Sequence, residues 1–320
     1  MAENILDFIR EQQIPYEEHV SLARKSWIKQ GGTCALWIAP HSKEQLVAVC
    51  RFLYAHALAF DIVGQTSNIF FHSTYNPAIV VSTNHVNGYA IDGDTMTCDC
   101  GVSVVKLAKE CLAKGYAGFY GLVGLPGTVA SSAYNNASCF KCSISSMLVS
   151  ADVLLPDGTV RILQAEDFGY THRSSVFKRG EVKGVILSVK LKLEKVEDLK
   201  EEYRKSEETV VYRRDKQEHH GRNLGSVYAD RKKKHNLKNR IASFLMRNLA
   251  RVRLMTDKRK AEKRILLFLY GYHDLNPYVS DRNINTFIWK DEAAEAQFAR
   301  YKEFMGKVYD NLVIEIEEKM

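Results

Sequence analysis

No stretch of this 320-residue sequence has the length and apolarity of a membrane span; a run such as Ile265-Leu-Leu-Phe-Leu-Tyr270 is only of strand length. The opening residues, MAENILDFIREQQ, carry a charge every few positions and have no apolar block, which argues against a signal peptide and for a cytoplasmic protein. Proline is scarce, at 6 residues, and there is no low-complexity linker or internal repeat, so a folded protein with ample core is expected. The 7 cysteines are odd in number and scattered, which suits a reducing compartment and not a disulfide framework. Cys98-x-Cys100 and Cys139-Phe-Lys-Cys142 lack a zinc-ribbon context and read as structural thiols, with no metal site expected. The net charge of +7 is concentrated between Lys200 and Arg264, including Arg231-Lys-Lys-Lys234. No nucleic-acid reader motif accompanies it, so nucleic-acid binding is not expected.

What is present is glycine and small polar residues in two places. Gly121 to Ser138 reads GLVGLPGTVASSAYNNAS, with glycines at three-residue spacing around Pro126 and almost no large apolar side chain. Such a segment lets a second object approach the backbone, and its N–H groups suit an anion. A tight turn between core elements is the alternative. The second place is Asp61-Ile-Val-Gly-Gln-Thr-Ser-Asn-Ile-Phe-Phe71, a short apolar strand, a small polar turn and a second apolar run. It is neither the dinucleotide fingerprint, since no helix opens after it, nor a P-loop, since Gly-Lys-Ser/Thr is missing.

Along the chain, Ser42-Lys-Glu-Gln45 is a capping-box start for a helix over roughly 43–57, with Leu46, Val49, Cys50 and Leu53 on one face. Ala78–Ser82 reads as a buried strand and Tyr89–Cys100 as loose alternation. An amphipathic helix opens at Ser103 and ends at Gly115. Pro156-Asp-Gly158 is a turn joining Val149–Leu155 to Thr159–Leu163, and Val182–Leu193 is a further strand. Helices and strands mix without regular alternation, so the expected class is α+β. The polar run Glu194–Glu208 reads as a connection into a last domain. Residues 237–255 form a basic amphipathic helix with Ile241, Phe244, Leu245, Leu249 and Val252 on one face. Three readings of it stay open: an anionic membrane surface, an acidic partner, or a helix whose apolar face lies in the core.

Taken as a pair, Gly64-x-x-Ser-Asn68 and Gly124-x-Pro-Gly-Thr128 with Asn136 resemble the flavin-binding signature of the UDP-N-acetylenolpyruvoylglucosamine reductase family. Further segments resemble it too: Gly31-Gly32, Tyr170-Thr-His-Arg-Ser-Ser-Val-Phe-Lys178, Gly225-Ser-Val-Tyr228, Val279-Ser280 with Asn285, and Ile314-Glu-Ile-Glu317. The resemblance runs from about residue 25 to the end, strongest over 40–195. It implies two FAD-binding subdomains, 1–85 and 86–199, and a C-terminal α+β substrate domain, 200–320. It implies FAD held by Val63, Gly64, Gln65, Thr66, Ser67, Asn68, Gly124, Pro126, Gly127, Thr128, Ser131, Ser132, Asn136 and Val185. It implies NADPH as co-substrate and hydride delivery to the enolpyruvyl group of a nucleotide sugar, giving UDP-N-acetylmuramate for peptidoglycan. Three catalytic roles carry over by position: Arg173 stabilising charge at the substrate carboxyl group, Ser226 donating a proton, and Glu317 supporting that serine.

The sequence also departs from the family. His172 stands where tyrosine is usual, Phe140-Lys141-Cys142 replaces an aromatic-Gly-small run, and Ser143 replaces an acid. Ala229-Asp230-Arg231 replaces the Lys-Asn-Pro that helps grip the diphosphate, with Arg231–Lys234 as a candidate replacement for the lost charge. A usual glycine-rich segment is replaced by Tyr272–Tyr278. Two alternatives follow: a reductase of another sugar nucleotide in surface-polysaccharide synthesis, or a non-catalytic flavin-stabilised protein docked at the inner membrane face.

Overall fold

The structure is a computed structural model and describes residues 2–251 and 257–320. The chain divides into two compact units. Unit 1 comprises 1–24, 32–66 and 75–211; unit 2 comprises 25–31, 67–74 and 212–320.

Unit 1 holds two sheets. The first has the order Tyr16–Ser21, Thr33–Ile38, Ile79–Ser82, Asp61–Val63. Its first pair is antiparallel and the other two are parallel. The helix Lys43–Ala55 links Thr33–Ile38 to Asp61–Val63. Its start is dictated by Ser42, whose hydroxyl accepts the Gln45 N–H at 3.2 Å. The reciprocal half of the capping box lands one residue early: the Gln45 side chain accepts from the His41 N–H at 2.9 Å. Leu46, Val49, Cys50 and Leu53 form the buried stripe, as their spacing requires.

The second sheet is antiparallel, in the order Val160–Gln164, Leu148–Leu154, Val185–Lys192, Thr95–Asp99, Tyr89–Asp92. The Pro156-Asp-Gly158 turn closes as expected, with Gly158 at φ +80° and the Asp157 carboxylate accepting the Thr159 N–H. Strand Val185–Lys192 serves two cores. Val185 and Leu187 join the apolar cluster of Leu36, Leu46 and Val81, while Ile186, Val189 and Leu191 join that of Leu107, Phe119 and Val153. A register shift in the pairing with Leu148–Leu154, where Ser188 and Ile186 face the successive residues Asp152 and Val153, resets the alternation, so Val189 and Leu191 face the same cluster as Ile186. The mixture of helices and strands is α+β.

Unit 2 is built on a core of Phe70, Phe287, Trp289, Phe298, Tyr301 and Phe304. Helix Ala294–Val308 supplies three of these from one face. Strand Tyr228–Lys233 pairs antiparallel with Tyr309–Ile314, and Glu317–Lys319 pairs parallel with Ile69–Phe71.

Most of the polar run Glu194–Glu208, read as a connection, lies in an 18-residue helix, Leu199–Lys216. Ion pairs along that helix, Arg204 with Glu201 and Glu208 and Lys205 with Glu202, do what an apolar stripe does elsewhere. Ile265–Tyr270 is helical, the second half of Lys258–Tyr270. The basic amphipathic segment forms the helix Leu237–Arg251, and the remainder of that reading, residues 252–255, lies outside the described residues. Among the described residues no helix is long and apolar enough to cross a membrane.

Candidate active site

In unit 1 the two glycine segments meet. A Cβ built on Gly64 would lie 3.0 Å from the Thr128 hydroxyl oxygen and 3.1 Å from its methyl group, so any larger residue would crowd Thr128. Beside this contact the Gln65 side chain accepts the Gly127 N–H at 3.1 Å. Gly127 is at φ +124°, a conformation that favours glycine. Thr128 is buried and caps the short helix Val129–Asn135. Its hydroxyl accepts from Ser131 N, and the Ser131 hydroxyl accepts from Thr128 N at 3.0 Å. The second half of the small-residue stretch is therefore helix. Val63, buried, ends its strand just before Gly64, with its carbonyl accepting from Thr83 N–H at 2.9 Å. Ser132 and Val185 are buried, Gly124 is half-buried and Pro126 is exposed.

Three non-glycine residues in the left-handed region coincide with predicted site residues: Thr66 at φ 54°, Asn136 at 47° and Arg173 at 55°. For Thr66 and Arg173 this costs on the order of 1–3 kcal/mol, whereas Asn136 caps the C-terminus of its helix in a conformation that asparagine adopts readily. For β-branched Thr66 the conformation is a true outlier.

Asn136 and Arg173 are physically linked. His172 and Arg173 form the tip of a turn closed by reciprocal hydrogen bonds between Thr171 and Ser174, at 3.1 and 3.2 Å. The Asn136 amide donates to the Thr171 carbonyl at 2.7 Å. The Ser175 hydroxyl donates to Tyr134 O at 2.6 Å, and the Lys178 ammonium to Asn135 Oδ1 at 2.9 Å. The arginine turn is thus stitched to the helix that follows the glycine loop. Because a carbonyl can only accept, the Asn136 NH2 must face Thr171, and its Oδ1 points the other way. That oxygen is buried with no hydrogen-bond partner. It suits a hydroxyl or ring N–H of a ligand, which a flavin has in its ribityl chain and ring. The Tyr170 hydroxyl is also buried without a partner, and burial raises its pKa. Sequence reading attached no role to Tyr170; only its place in the Tyr170–Lys178 segment marked it.

Ser67 and Asn68 belong to unit 2, with Ser226 and Glu317. Val227 N–H donates to Asn285 O, Tyr228 N–H donates to the Asn285 side chain, and that side chain donates to Tyr228 O at 2.8 Å. On the other side Glu315 N–H donates to Val227 O at 2.8 Å. Ser226, half-buried, therefore precedes a rigidly held residue. The Asn68 amide donates to Glu315 O at 3.1 Å, and Glu317 N–H donates to Asn68 O at 2.9 Å. Asn68, the backbone after Ser226 and the Glu315–Glu317 segment form one hydrogen-bonded cluster. The Glu317 carboxylate pairs with Lys319 at 3.0 Å. Asn285 is the clamp that sequence reading left without a function.

Sequence reading also missed a polar node in unit 2. Glu295 accepts from Ser73 N–H at 3.1 Å and from the Gln30 amide at 2.9 Å, and its Oε1 lies 3.1 Å from His72 Nδ1. The other nitrogen of His72 lies 3.3 Å from Glu318, which Lys302 also contacts at 2.8 Å.

Two expectations change. Gly121 does not belong to the open part of the loop: a Cβ there would lie 2.3 Å from Cys139 O, so its role is close backbone packing against the Ser138–Ser143 hairpin. Arg231–Lys234 do not form a free charge cluster. Arg231 lies over the Tyr309 ring, Lys233 pairs with Glu262 at 2.7 Å, and Lys234 donates to Gly306 O at 2.6 Å. Cys98 and Cys100 are buried, and burial pushes both thiols up to about 12, which keeps them protonated at neutral pH.

A family model for an FAD binding domain matches residues 34–164. The chain is similar to UDP-N-acetylenolpyruvoylglucosamine reductase of Nostoc sp., 36% identical over 150 residues, which is 46% of this chain and 45% of the relative. It is similar to the protein of that name in Bacillus velezensis, 29% identical over 197 residues, 61% of this chain and 65% of the relative. In fold it is similar to UDP-N-acetylenolpyruvylglucosamine reductase from Thermus caldophilus, with TM-score 0.66 at 18% identity over 96% of this chain and 100% of that one. The matched part spans less than half the length of the Nostoc relative.

Proposed function

We propose that this chain, which belongs over its flavin-binding part to the UDP-N-acetylenolpyruvoylglucosamine reductase family, is an FAD-dependent reductase of an enolpyruvyl UDP-sugar that uses NADPH and yields UDP-N-acetylmuramate for peptidoglycan. The observation that carries the reading is the meeting of Gly64 with Thr128 inside the segment that matches an FAD binding domain, with the spare Asn136 oxygen at the other end of the helix that Thr128 caps. FAD, when bound, supplies the transfer of hydride from NADPH to the enolpyruvyl carbon. Gly64–Asn68, Gly124–Thr128, Ser131, Ser132, Asn136 and Val185 would hold it. The relatives named above are reductases of one compound, which supports the enolpyruvyl sugar over another sugar nucleotide.

The remaining chemistry falls to side chains. Negative charge develops on the substrate carboxyl group as its C2 becomes carbanionic, and a fixed cation stabilises it best in a dry site. Arg173, on its braced turn, takes that role. Ser226 delivers a proton to C2, and Glu317 supports the serine by relaying a proton back to its oxygen. Asn285 and Glu315 hold the backbone that follows Ser226 in place. The division into 1–85, 86–199 and 200–320 is part of the same proposal, supported by sheets confined to residues 16–82 and 89–192. On this reading the enzyme works in the cytoplasm, against the inner face of the membrane.

The test is Ser226→Ala in two half-reactions under anaerobic conditions. NADPH should bleach the flavin absorbance at the normal rate. Recovery of that absorbance on adding the enolpyruvyl sugar should slow by about 10²–10⁴. Normal recovery removes Ser226 from the mechanism, and no recovery in the unsubstituted protein removes the substrate.

A further inference from the structure

The helix Leu237–Arg251 turns its apolar side away from its own unit. The residues directed inward are Asn239 and Ala242, both buried, with Met246 half-buried one helical repeat on. Asn239 fixes this orientation. Its amide donates to Lys234 O and Val308 O, both at 2.9 Å, and its oxygen accepts from the Tyr270 hydroxyl. Leu237, Ile241, Phe244 and Leu245 share the opposite side, at the i, i+4, i+7, i+8 spacing of a single stripe. Leu237 is 70% exposed and Phe244 59%. Of the three readings left open, a core-facing stripe does not fit Leu237, Ile241, Phe244 and Leu245, which are exposed, while Leu249 further along is half-buried.

The charge around the stripe has one sign. The helix carries Lys238, Arg240, Arg247 and Arg251 and no acid. At about 100° per residue, Arg240, Arg247 and Arg251 lie along one edge of the stripe and Lys238 along the other. Arg240 and Arg247 have no acidic partner among the described residues. Residues 231–264 hold 14 lysines and arginines against 2 acids, while the rest of the chain is net negative. Beside the arginine edge lies a cleft of ≈ 520 Å³ lined by Lys233, His235, Arg240, Ser243, Phe244 and Arg247.

We propose that this face docks on an anionic phospholipid bilayer, with lipid phosphates in the cleft between Arg240 and Arg247 and the Leu237–Ile241–Phe244 stripe lying among the upper acyl chains. A nucleic acid would match the cations and leave the stripe in water. An acidic protein surface would likewise leave protruding Leu and Phe without a partner. A bilayer interface supplies phosphate above hydrocarbon, which is the order in which arginine and Phe244 are presented. The inference deepens the peripheral placement proposed above and does not depend on the reduction chemistry.

The experiment is co-sedimentation of the full-length protein with phosphatidylcholine vesicles, with and without phosphatidylglycerol. Binding should require phosphatidylglycerol and weaken with salt. Each cation near the surface is worth about a factor of five, so Arg240→Gln with Arg247→Gln should weaken binding roughly thirty-fold. Ile241→Ser with Phe244→Ser should weaken it about tenfold with every charge kept. Glycerol phosphate at equal ionic strength should not displace the protein. Far-UV circular dichroism reports folding of each variant without reference to flavin, and flavin content reports separately on the catalytic reading. Equal binding to both vesicle types, variants that bind as the parent does, displacement by glycerol phosphate, or binding to a polyglutamate peptide without vesicle binding would each overturn the proposal.

Discussion

Replacing Gly64 with alanine probes the contact on which the flavin assignment rests. Gly64 has no left-handed φ, so alanine is compatible with its backbone, and the effect comes from the new methyl group. That methyl would meet the Thr128 hydroxyl oxygen at 3.0 Å and its methyl at 3.1 Å. Thr128 cannot swing aside freely, because it is buried and its hydroxyl is committed to the helix cap with Ser131. Overpacking of this kind costs about 1–3 kcal/mol. Loss of chain entropy in the unfolded state returns about 0.4–1 kcal/mol. The expected net destabilisation is about 1–2 kcal/mol. Thr128→Ala alone should cost about 0.5–2 kcal/mol through the lost cap. In the double variant the nearest remaining atom is the residue-128 Cβ, at 3.7 Å, an ordinary contact. Gly64→Ala should then be neutral or stabilising, a coupling of roughly 1–3 kcal/mol. Urea unfolding of the apoprotein by circular dichroism measures the cycle, and quenching of FAD fluorescence measures affinity in the same four proteins. If Gly64→Ala costs the same with threonine or alanine at 128, the two loops do not touch, and the reasoning fails.

Gly121→Ala should be worse than Gly64→Ala, at or above the upper end of about 1–3 kcal/mol, because the obstacle is the Cys139 backbone carbonyl and not a movable side chain; the urea midpoint checks this. Glu295→Gln should flatten the acid limb of stability. Burial opposes ionisation of Glu295, but donors from Ser73 and Gln30 and the neighbouring His72 outweigh it, so its pKa is lowered. A lowered carboxylate pKa gives stability present above the unfolded value, about 4.3, and lost as pH falls through the folded one. Urea midpoints from pH 6 downward should converge for parent and variant as the acid limb is crossed, and a constant gap would refute the role.

Much of unit 1 could be read from the chain because its signals are local. Ser42 and the Leu46–Leu53 stripe specify one helix, and Pro156-Asp-Gly158 specifies one hairpin. The encounter of Gly64 with Thr128 was visible only as two similar compositions, since nothing local fixes their distance. Helix Leu199–Lys216 escaped because its stability lies in ion pairs and it lacks an apolar period. The orientation of Leu237–Arg251 escaped for a different reason. Periodicity identifies an apolar face, but which face turns inward was decided by Asn239, a polar residue with two carbonyls to satisfy. Asn136 was named from its motif, yet its unused oxygen depends on Thr171, far along the chain.

The threading of residues 67–74 into unit 2 has a consequence for biogenesis. Phe70 is fully buried against partners made much later, in the Ala294–Val308 helix and around Trp289, and the strand Ile69–Phe71 has Glu317–Lys319 as its partner. On the ribosome this edge and its aromatic side chain must wait uncovered until nearly all of the chain has emerged. Non-local pairing of this kind is slow to form, and a waiting strand edge is open to the wrong partner. During synthesis the short strand that follows Gly64–Asn68 is therefore where a chaperone would have most to protect.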